Sequence, residues 1–252
     1  MPELAVVIPV RNEADNIAPL VAEIRAALAG RIPYEIVYVD DGSSDDTVQR
    51  IRALQATVPE LRVVRHRASC GQSAAVRTGV RAARAPWIAT LDGDGQNDPA
   101  DIPGLWAMAT GPDAPPGLGL VAGRRTKRRD TAAKRWASRI ANGIRSRLLG
   151  DDTPDTGCGL KLFRRDEFLD LPGFDHMHRF LPALFIRRGQ KVVSVPVNHR
   201  PRTQGRSNYG NLDRLLVSFG DLVGVMWLMR RGKRPDILPD DIHPGDILPE
   251  SE

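Results

Sequence analysis

At 252 residues, with 41% hydrophobic and 27% charged side chains, the chain is long enough to bury one α/β core and too short for a second independent domain. Its formal net charge of +5 favours anionic partners, while 5% aromatic residues with no motif interleaving them among basic ones argues against nucleic acid. Cys70 and Cys158 lie far apart without ligand-like spacing and read as reduced thiols, and no charged segment followed by an apolar stretch opens the chain, so a cytoplasmic protein is expected.

In chain order, the apolar run Leu4 to Val10 predicts a first strand, followed by a helix near 13–29 whose Ile17, Leu20, Val21, Ile24 and Leu28 recur at helical spacing. A strand at 34–39 precedes a helix near 44–56, which Ser44 or Asp45 can cap. A strand at 61–65, a helix from 72 to 84 and a strand at 87–91 complete a βαβ pattern, which implies an α/β fold with a mainly parallel sheet covered on both faces. A helix near 99–109, a surface loop carrying three prolines and a strand at 118–122 follow. Beyond them 131–149 reads as a basic helix, 165–170 and 178–188 as short helices, 191–197 as a strand and 211–229 as an apolar helix.

Charge is unevenly spread. Between Arg124 and Arg147 stand ten Lys or Arg residues against one acid, Asp130, and further basic stretches run from Arg187 to Arg206 and from Arg230 to Arg234. The last residues, 235–252, carry six acids and neither Lys nor Arg. So basic a body seeks phosphates or lipid headgroups.

Three strands deliver polar groups at their carboxyl ends: Arg11-Asn12-Glu13, Asp40-Asp41-Gly42-Ser43 and Asp92-Gly93-Asp94-Gly95-Gln96. In an open parallel sheet that edge is where ligands bind. Paired carboxylates at such an end suit a hard cation bound jointly with substrate phosphates, although Asp and Gly are also what an ordinary turn uses. Taken in order, Pro9-Val10-Arg11-Asn12-Glu13, Val39-Asp40-Asp41-Gly42-Ser43, Gly71 to Gly79, Asp92 to Gln96, Gly123-Arg124 and Asp155 to Arg164 resemble the family 2 glycosyltransferases of GT-A fold. Within them the chain is similar to the polyprenyl-phosphate glycosyltransferases typified by dolichyl-phosphate mannose synthase.

The resemblance implies a GT-A catalytic domain over 1–210. The composition beyond it reads as an apolar helix and basic cluster over 211–234 that meets a membrane interface or packs on the domain, and an acidic, proline-bearing tail over 235–252, expected to be disordered, with a partner-binding strip or a strap across the basic body as the alternatives. The resemblance also implies an inverting transfer from a UDP- or GDP-sugar to a lipid monophosphate such as undecaprenyl or dolichyl phosphate. A divalent cation, Mg2+ or Mn2+, would sit on Asp94, with Asp92 and Gln96 completing or orienting the site. Pro9, Arg11, Glu13, Val39 and Asp41 would bind the nucleotide together with Asp92. Arg124, Lys134, Ser138 and Arg202 would meet the acceptor phosphate, Arg124 and Arg202 acting in catalysis beside Asp92 and Asp94. Where this group carries Lys after the Ser of its Ser-Lys motif, this chain has Asn208. A phosphate monoester is largely a dianion at neutral pH, so no added base is required. His178 is kept as an acceptor-side residue.

The segment Leu212 to Met229 contains Asp213, Arg214 and Asp221 and is short of the about 20 apolar residues a spanning helix needs. It fits the interface plane, with Trp227 at headgroup depth, and predicts a peripheral protein at the inner face of a membrane, alone, as a homodimer or with an integral membrane partner. The competing readings are a family 2 transferase acting on a soluble or glycan hydroxyl, a nucleotidyltransferase on the same sheet, and a non-catalytic anion- or membrane-binding module.

Overall fold

The computed structural model describes residues 1–126, 143, 145–201 and 211–231, the side chains of 211–219 excepted. Seven strands form one sheet: β1 (Leu4–Val10), β2 (Tyr34–Asp40), β3 (Leu61–Arg65), β4 (Trp87–Thr90), β5 (Leu118–Arg125), β6 (Lys161–Arg164) and β7 (Lys191–Val197), in the order β3-β2-β1-β4-β6-β5-β7. Pairs β1–β2, β1–β4, β2–β3 and β5–β7 are parallel, while β6 runs antiparallel to both of its neighbours.

β1, β2 and β4 are almost continuously apolar because both faces are covered. On one face α1 (Ala14–Leu28) turns Ile17, Leu20, Val21, Ile24 and Leu28 onto Val6, Ile8 and Ile36, and α4 (Ile102–Thr110) adds Ile102 and Leu105. On the other face α3 (Gln72–Ala82), α5 (Arg165–Leu169) and α6 (Leu181–Arg187) bury Val76, Val80, Phe168, Leu184 and Phe185 against Val7, Val37 and Phe163. Phe163 stacks on Phe168 with ring centres 4.9 Å apart. α2 (Thr47–Gln55) starts at Thr47, later than its apolar pattern suggests, because Asp45 Oδ1 accepts the Thr47 amide at 3.0 Å.

β6 escaped the sequence pattern. It is only four residues long, and its central Leu162 and Phe163 are both buried, on opposite faces, so the polar–apolar alternation of a half-exposed strand is absent. β5 runs on to Arg125 since Gly123, Arg124 and Arg125 still pair with Val195, Pro196 and Val197. The helix expected over 178–188 is divided into a 3-10 turn at Met177–Arg179 and α6, and that expected over 99–109 opens with a 3-10 turn at Pro99–Asp101 capped by Asp98. Of the expected basic helix, residues 145–149 are helical and the remainder lies largely outside the described residues, as does the whole tail 235–252.

α7 (Asn211–Met229) packs one face on the domain: Val225 is buried, with Leu222, Met226, Leu228 and Met229 around it. Arg187 donates to the carbonyls of Leu228 and Arg231, and His176 Nδ1 meets Asp221 Oδ2 at 2.9 Å. Its other face leaves Val223 and Trp227 50% and 60% exposed. No described helix is long and apolar enough to cross a membrane.

After the helical residues 145–149 the chain turns at Gly150 and buries Asp151, whose Oδ1 accepts Arg145 Nη2 at 2.9 Å while Oδ2 accepts nothing from the described residues. Burial pushes the Asp151 carboxyl up to about 6, against the pull of Arg145. The folded chain therefore holds a proton that the unfolded chain releases near pH 4, so stability falls as pH rises from about 4 to 6, by about 3 kcal/mol. Asp151→Asn removes this dependence. In denaturant titrations the stability deficit of the variant should shrink by about 3 kcal/mol between pH 4 and pH 7; a gap that does not move with pH means Asp151 ionises freely.

Candidate active site

Because β1, β2, β4 and β5 run in one direction, their carboxyl ends share one edge of the sheet, and the antiparallel β6 begins there. At the end of β4 the chain passes so close to β1 that a Cβ on Gly93 would lie 2.4 Å from Val10 Cγ1. Asn97, almost fully buried, accepts the Asp92 amide at 3.1 Å and closes the loop. Asp92 Oδ1 accepts Gln72 Nε2 at 2.9 Å, and Asp94 Oδ1 accepts the Gln96 amide at 3.1 Å. The second oxygen of each carboxylate accepts no hydrogen bond from the described residues.

Burial, then the neighbouring Asp94, pushes the Asp92 carboxyl up; Lys161, Gln72 and Arg125 pull it down. Lys161 is itself buried, its ammonium donating to the carbonyls of Thr156 and Cys158, and burial lowers it from the ordinary lysine value. Two acids crowded at a strand end, each with an uncommitted hard oxygen, form a donor set that suits Mg2+ or Mn2+.

The second acid cluster is built differently. Asp41 Oδ1 accepts His66 Nδ1 and the Cys70 amide, at 2.7 and 2.8 Å, and Oδ2 accepts Ser69 Oγ and the Gly71 amide, at 2.7 and 2.9 Å. Burial acts to raise Asp41, but these four bonds outweigh it and hold the carboxyl below the ordinary range. An ionised Asp41 makes His66 Nδ1 the donor, and Nε2 pairs with Thr78 Oγ1 at 2.9 Å. Sequence spacing gave no metal set here, yet one donor atom from each of Asp41, His66 and Cys70 lies within 4.8 Å of the others. Since both Asp41 oxygens are already filled, we read the group as a lock on the 66–71 loop.

Arg11 reaches that loop through Ser69 Oγ at 3.2 Å. Asn12, in the left-handed region at φ 57°, ties β1 to β2 by accepting the Ser44 amide at 2.8 Å and donating its own amide to Ser43 Oγ at 2.9 Å. Glu13 accepts Asn16 Nδ2 and donates its amide to Thr47 Oγ1. Pro9 lies beside Val39 in register and, with Gln72, Asp92, Lys161 and His178, lines a cavity of about 20 Å³, the size of one water. The Val39 side chain belongs to the core instead.

Among the cations, strand alternation separates neighbours. Arg125 points to the Asp92 side, donating Nε and Nη2 to Asp155 at 2.7 Å each, whereas Arg124 is exposed and lines a separate cleft with Asp152, Thr153 and Ser194. The sequence reading did not single out Arg125, Lys161 or Gln72, because their roles depend on β6 and on which face of β5 looks inward. Lys134, Ser138 and Arg202 lie outside the described residues. Arg200, two positions before Arg202, is clamped to Glu23 and Asp98 at 2.8 and 2.6 Å, and its amide donates to the Gln96 carbonyl, so the approach to Arg202 is fastened to the carboxylate loop.

His178 Nδ1 pairs with Ser73 Oγ at 2.7 Å, and the same oxygen accepts the His178 amide. Burial, reinforced by the charges of Lys161, Arg179 and His176, pushes the imidazole down to about 3. The imidazole is therefore neutral, its Nδ1 paired with the Ser73 hydroxyl.

A model of glycosyl transferase family 2 matches residues 5–171. The chain is 35% identical to a dodecaprenyl-phosphate galacturonate synthase of Rhizobium johnstonii, the match covering 92% of this chain and 69% of that protein. It is 34% identical to an undecaprenyl-phosphate 4-deoxy-4-formamido-L-arabinose transferase of Edwardsiella ictaluri, over 87% of this chain and 66% of that one. The chain thus spans about two thirds of the length of these relatives. Among solved structures it resembles glucosyl-3-phosphoglycerate synthase of Mycobacterium tuberculosis with Mn2+, UDP-glucose and phosphoglyceric acid, at TM-score 0.64 and 18% identity over 90% of this chain and 79% of that one. A mannosyltransferase of Pyrobaculum calidifontis with GDP-Man and Mn2+ gives TM-score 0.61 and 19% identity over 93% and 66%. The fold is GT-A.

Proposed function

Because the chain belongs to glycosyl transferase family 2, we propose that it transfers a sugar, with inversion, from a UDP- or GDP-sugar to a polyprenyl monophosphate of the undecaprenyl type. The observation that carries this is the pair Asp92 and Asp94, each with an oxygen that no described residue bonds, at the carboxyl edge of the sheet beside the loop that Asp41 orders. The names of the relatives supply the lipid phosphate.

Asp94 and Asp92, with Gln96, would hold Mg2+ or Mn2+, which supplies charge to stabilise the departing diphosphate. Pro9, Arg11, Glu13 and the 66–71 loop around Asp41 shape the nucleotide side. The acceptor dianion attacks without a base, and the neutral, weakly basic His178 is consistent with that. Arg125 spends its charge on Asp155, so the clamp on the acceptor phosphate falls to Arg124, Lys134, Ser138 and Arg202. Residues 1–210 form the catalytic unit, 211–234 its membrane contact, and 235–252 an acidic tail.

The test is a panel of UDP- and GDP-linked hexoses, uronic acids and aminosugars offered with undecaprenyl phosphate and Mn2+ or Mg2+, scored for glycolipid. One donor should yield a polyprenyl-phosphate sugar. Silence across the panel overturns the reading.

The acceptor is anchored in lipid, so we place the chain at the inner membrane face through the exposed side of α7 and the adjoining Arg230 and Arg231. Each basic residue near an anionic surface adds about 1 kcal/mol, screened by salt. Leu228 packs on the domain, so the informative variant is Trp227→Ser with Val223→Ser. Its affinity for anionic liposomes should fall by roughly tenfold, on the order of 1.4 kcal/mol. Unchanged binding, or none by the parent at low salt, removes α7 as the anchor.

A further inference from the structure

The carboxylate of Asp92 lies directly over the α-carbon of Gly159. A Cβ built there would stand 2.1 Å from Oδ2, 2.4 Å from Cγ and 2.7 Å from Oδ1 of Asp92. Gly159 cannot withdraw. Its carbonyl accepts Thr90 Oγ1 at 2.7 Å, and the strand it leads into pairs Lys161 with Thr90. The buried Lys161 ammonium grips the carbonyls of Thr156 and Cys158, on the approach to Gly159. On the opposite side Gln72 Nε2 holds Oδ1, and behind it the Asp92 amide is held by Asn97. The carboxylate is seated between a glutamine amide and a bare backbone, and nothing larger than hydrogen fits on that backbone while Asp92 stays where it is.

We infer that Gly159 is a positioning residue: the missing side chain at 159 fixes where Asp92 presents its uncommitted oxygen beside Asp94. This rests on the reading of Asp92 as a donor-side carboxylate, but its first test needs neither metal nor substrate. The obstructing atoms belong to the far end of a side chain, so Gly159→Ala can fold by displacing Asp92.

The experiment is a double-mutant cycle on the melting temperature of the protein without ligands, using Gly159→Ala, Asp92→Ala and both together. Gly159→Ala in the parent should lower the melting temperature by about 4 °C. In the Asp92→Ala background the same change should lower it by less than about 1 °C, because the methyl group enters the space that the carboxylate left. Should the single variant fail to fold, the double variant should fold. Equal losses in the two backgrounds, or a double variant that also fails to fold, overturn the inference.

A second reading uses Mn2+ with UDP or GDP in calorimetry. Gly159→Ala should weaken Mn2+-dependent nucleotide affinity at least tenfold and leave metal-independent affinity within twofold. Parental affinity in the variant overturns the positioning role, whereas a parent that binds neither nucleotide with Mn2+ overturns the metal reading and leaves the cycle standing on its own result.

Discussion

Asp94→Ala should lower sugar transfer by about a thousandfold, roughly 4 kcal/mol of lost stabilisation of the departing diphosphate, and leave the fold intact. The two effects separate because of what Asp94 does in the protein. Among the described residues its Oδ1 accepts only the amide of Gln96, a bond whose loss costs about 1 kcal/mol, and it contributes nothing to the apolar core. Asp94→Asn keeps the shape and an acceptor oxygen but not the charge, so it should fall nearly as far. Excess chelator should reproduce the loss in the parent. Turnover within tenfold of the parent by Asp94→Ala, with a normal melting curve, would place the charge stabilisation elsewhere.

Acidification should unfold the protein in large part through His178. The ordinary imidazole titrates at 6.5, whereas burial and the nearby Lys161, Arg179 and His176 hold His178 down to about 3. Between those values the unfolded chain binds a proton that the folded chain refuses. The contribution of His178 is therefore whole above about pH 6.5 and lost progressively as pH falls towards 3, by about 5 kcal/mol in all, which outweighs the opposing gain of about 3 kcal/mol as Asp151 takes up its proton between pH 6 and 4. Asp41, Asp45 and Asp166, whose carboxyls are lowered by their hydrogen bonds, add to the loss only at the acid end. His178→Gln keeps a hydrogen-bonding group for the Ser73 hydroxyl and cannot titrate. Between pH 7 and pH 4.5 the parent should lose about 3 kcal/mol more than this variant in denaturant titrations. Parallel losses would mean that the folded protein protonates His178 at little cost.

The sheet was legible wherever strand chemistry is local. The apolar runs of β1, β3 and β7 predict their limits to the residue, and α1 announces itself through five apolar positions at helical spacing. β6 was not legible, because an antiparallel strand of four residues lodged between β4 and β5 depends on contacts distant in sequence. The site divides in the same way. Asp92, Asp94, Arg11, Glu13 and Asp41 stand at the carboxyl edge, where strand ends put them. Arg125 needed the facing of β5, Gly159 and Lys161 needed β6, and His66 needed the loop that Asp41 folds back onto itself. None of those facts is carried by spacing along the chain.

The central claim is that the acceptor is a phosphate on a lipid, and the measurement that tests it most directly is an acceptor competition at fixed donor. With the nucleotide sugar found by the panel, Mn2+ and the purified chain, undecaprenyl phosphate is offered beside undecaprenol and soluble glycan acceptors, and each product is identified by mass. The account predicts a single lipid product in which the sugar is joined through the phosphate, absent when the phosphate is. Transfer to a hydroxyl of undecaprenol or of a glycan, at a rate equal to or above that on the phosphate, would contradict it.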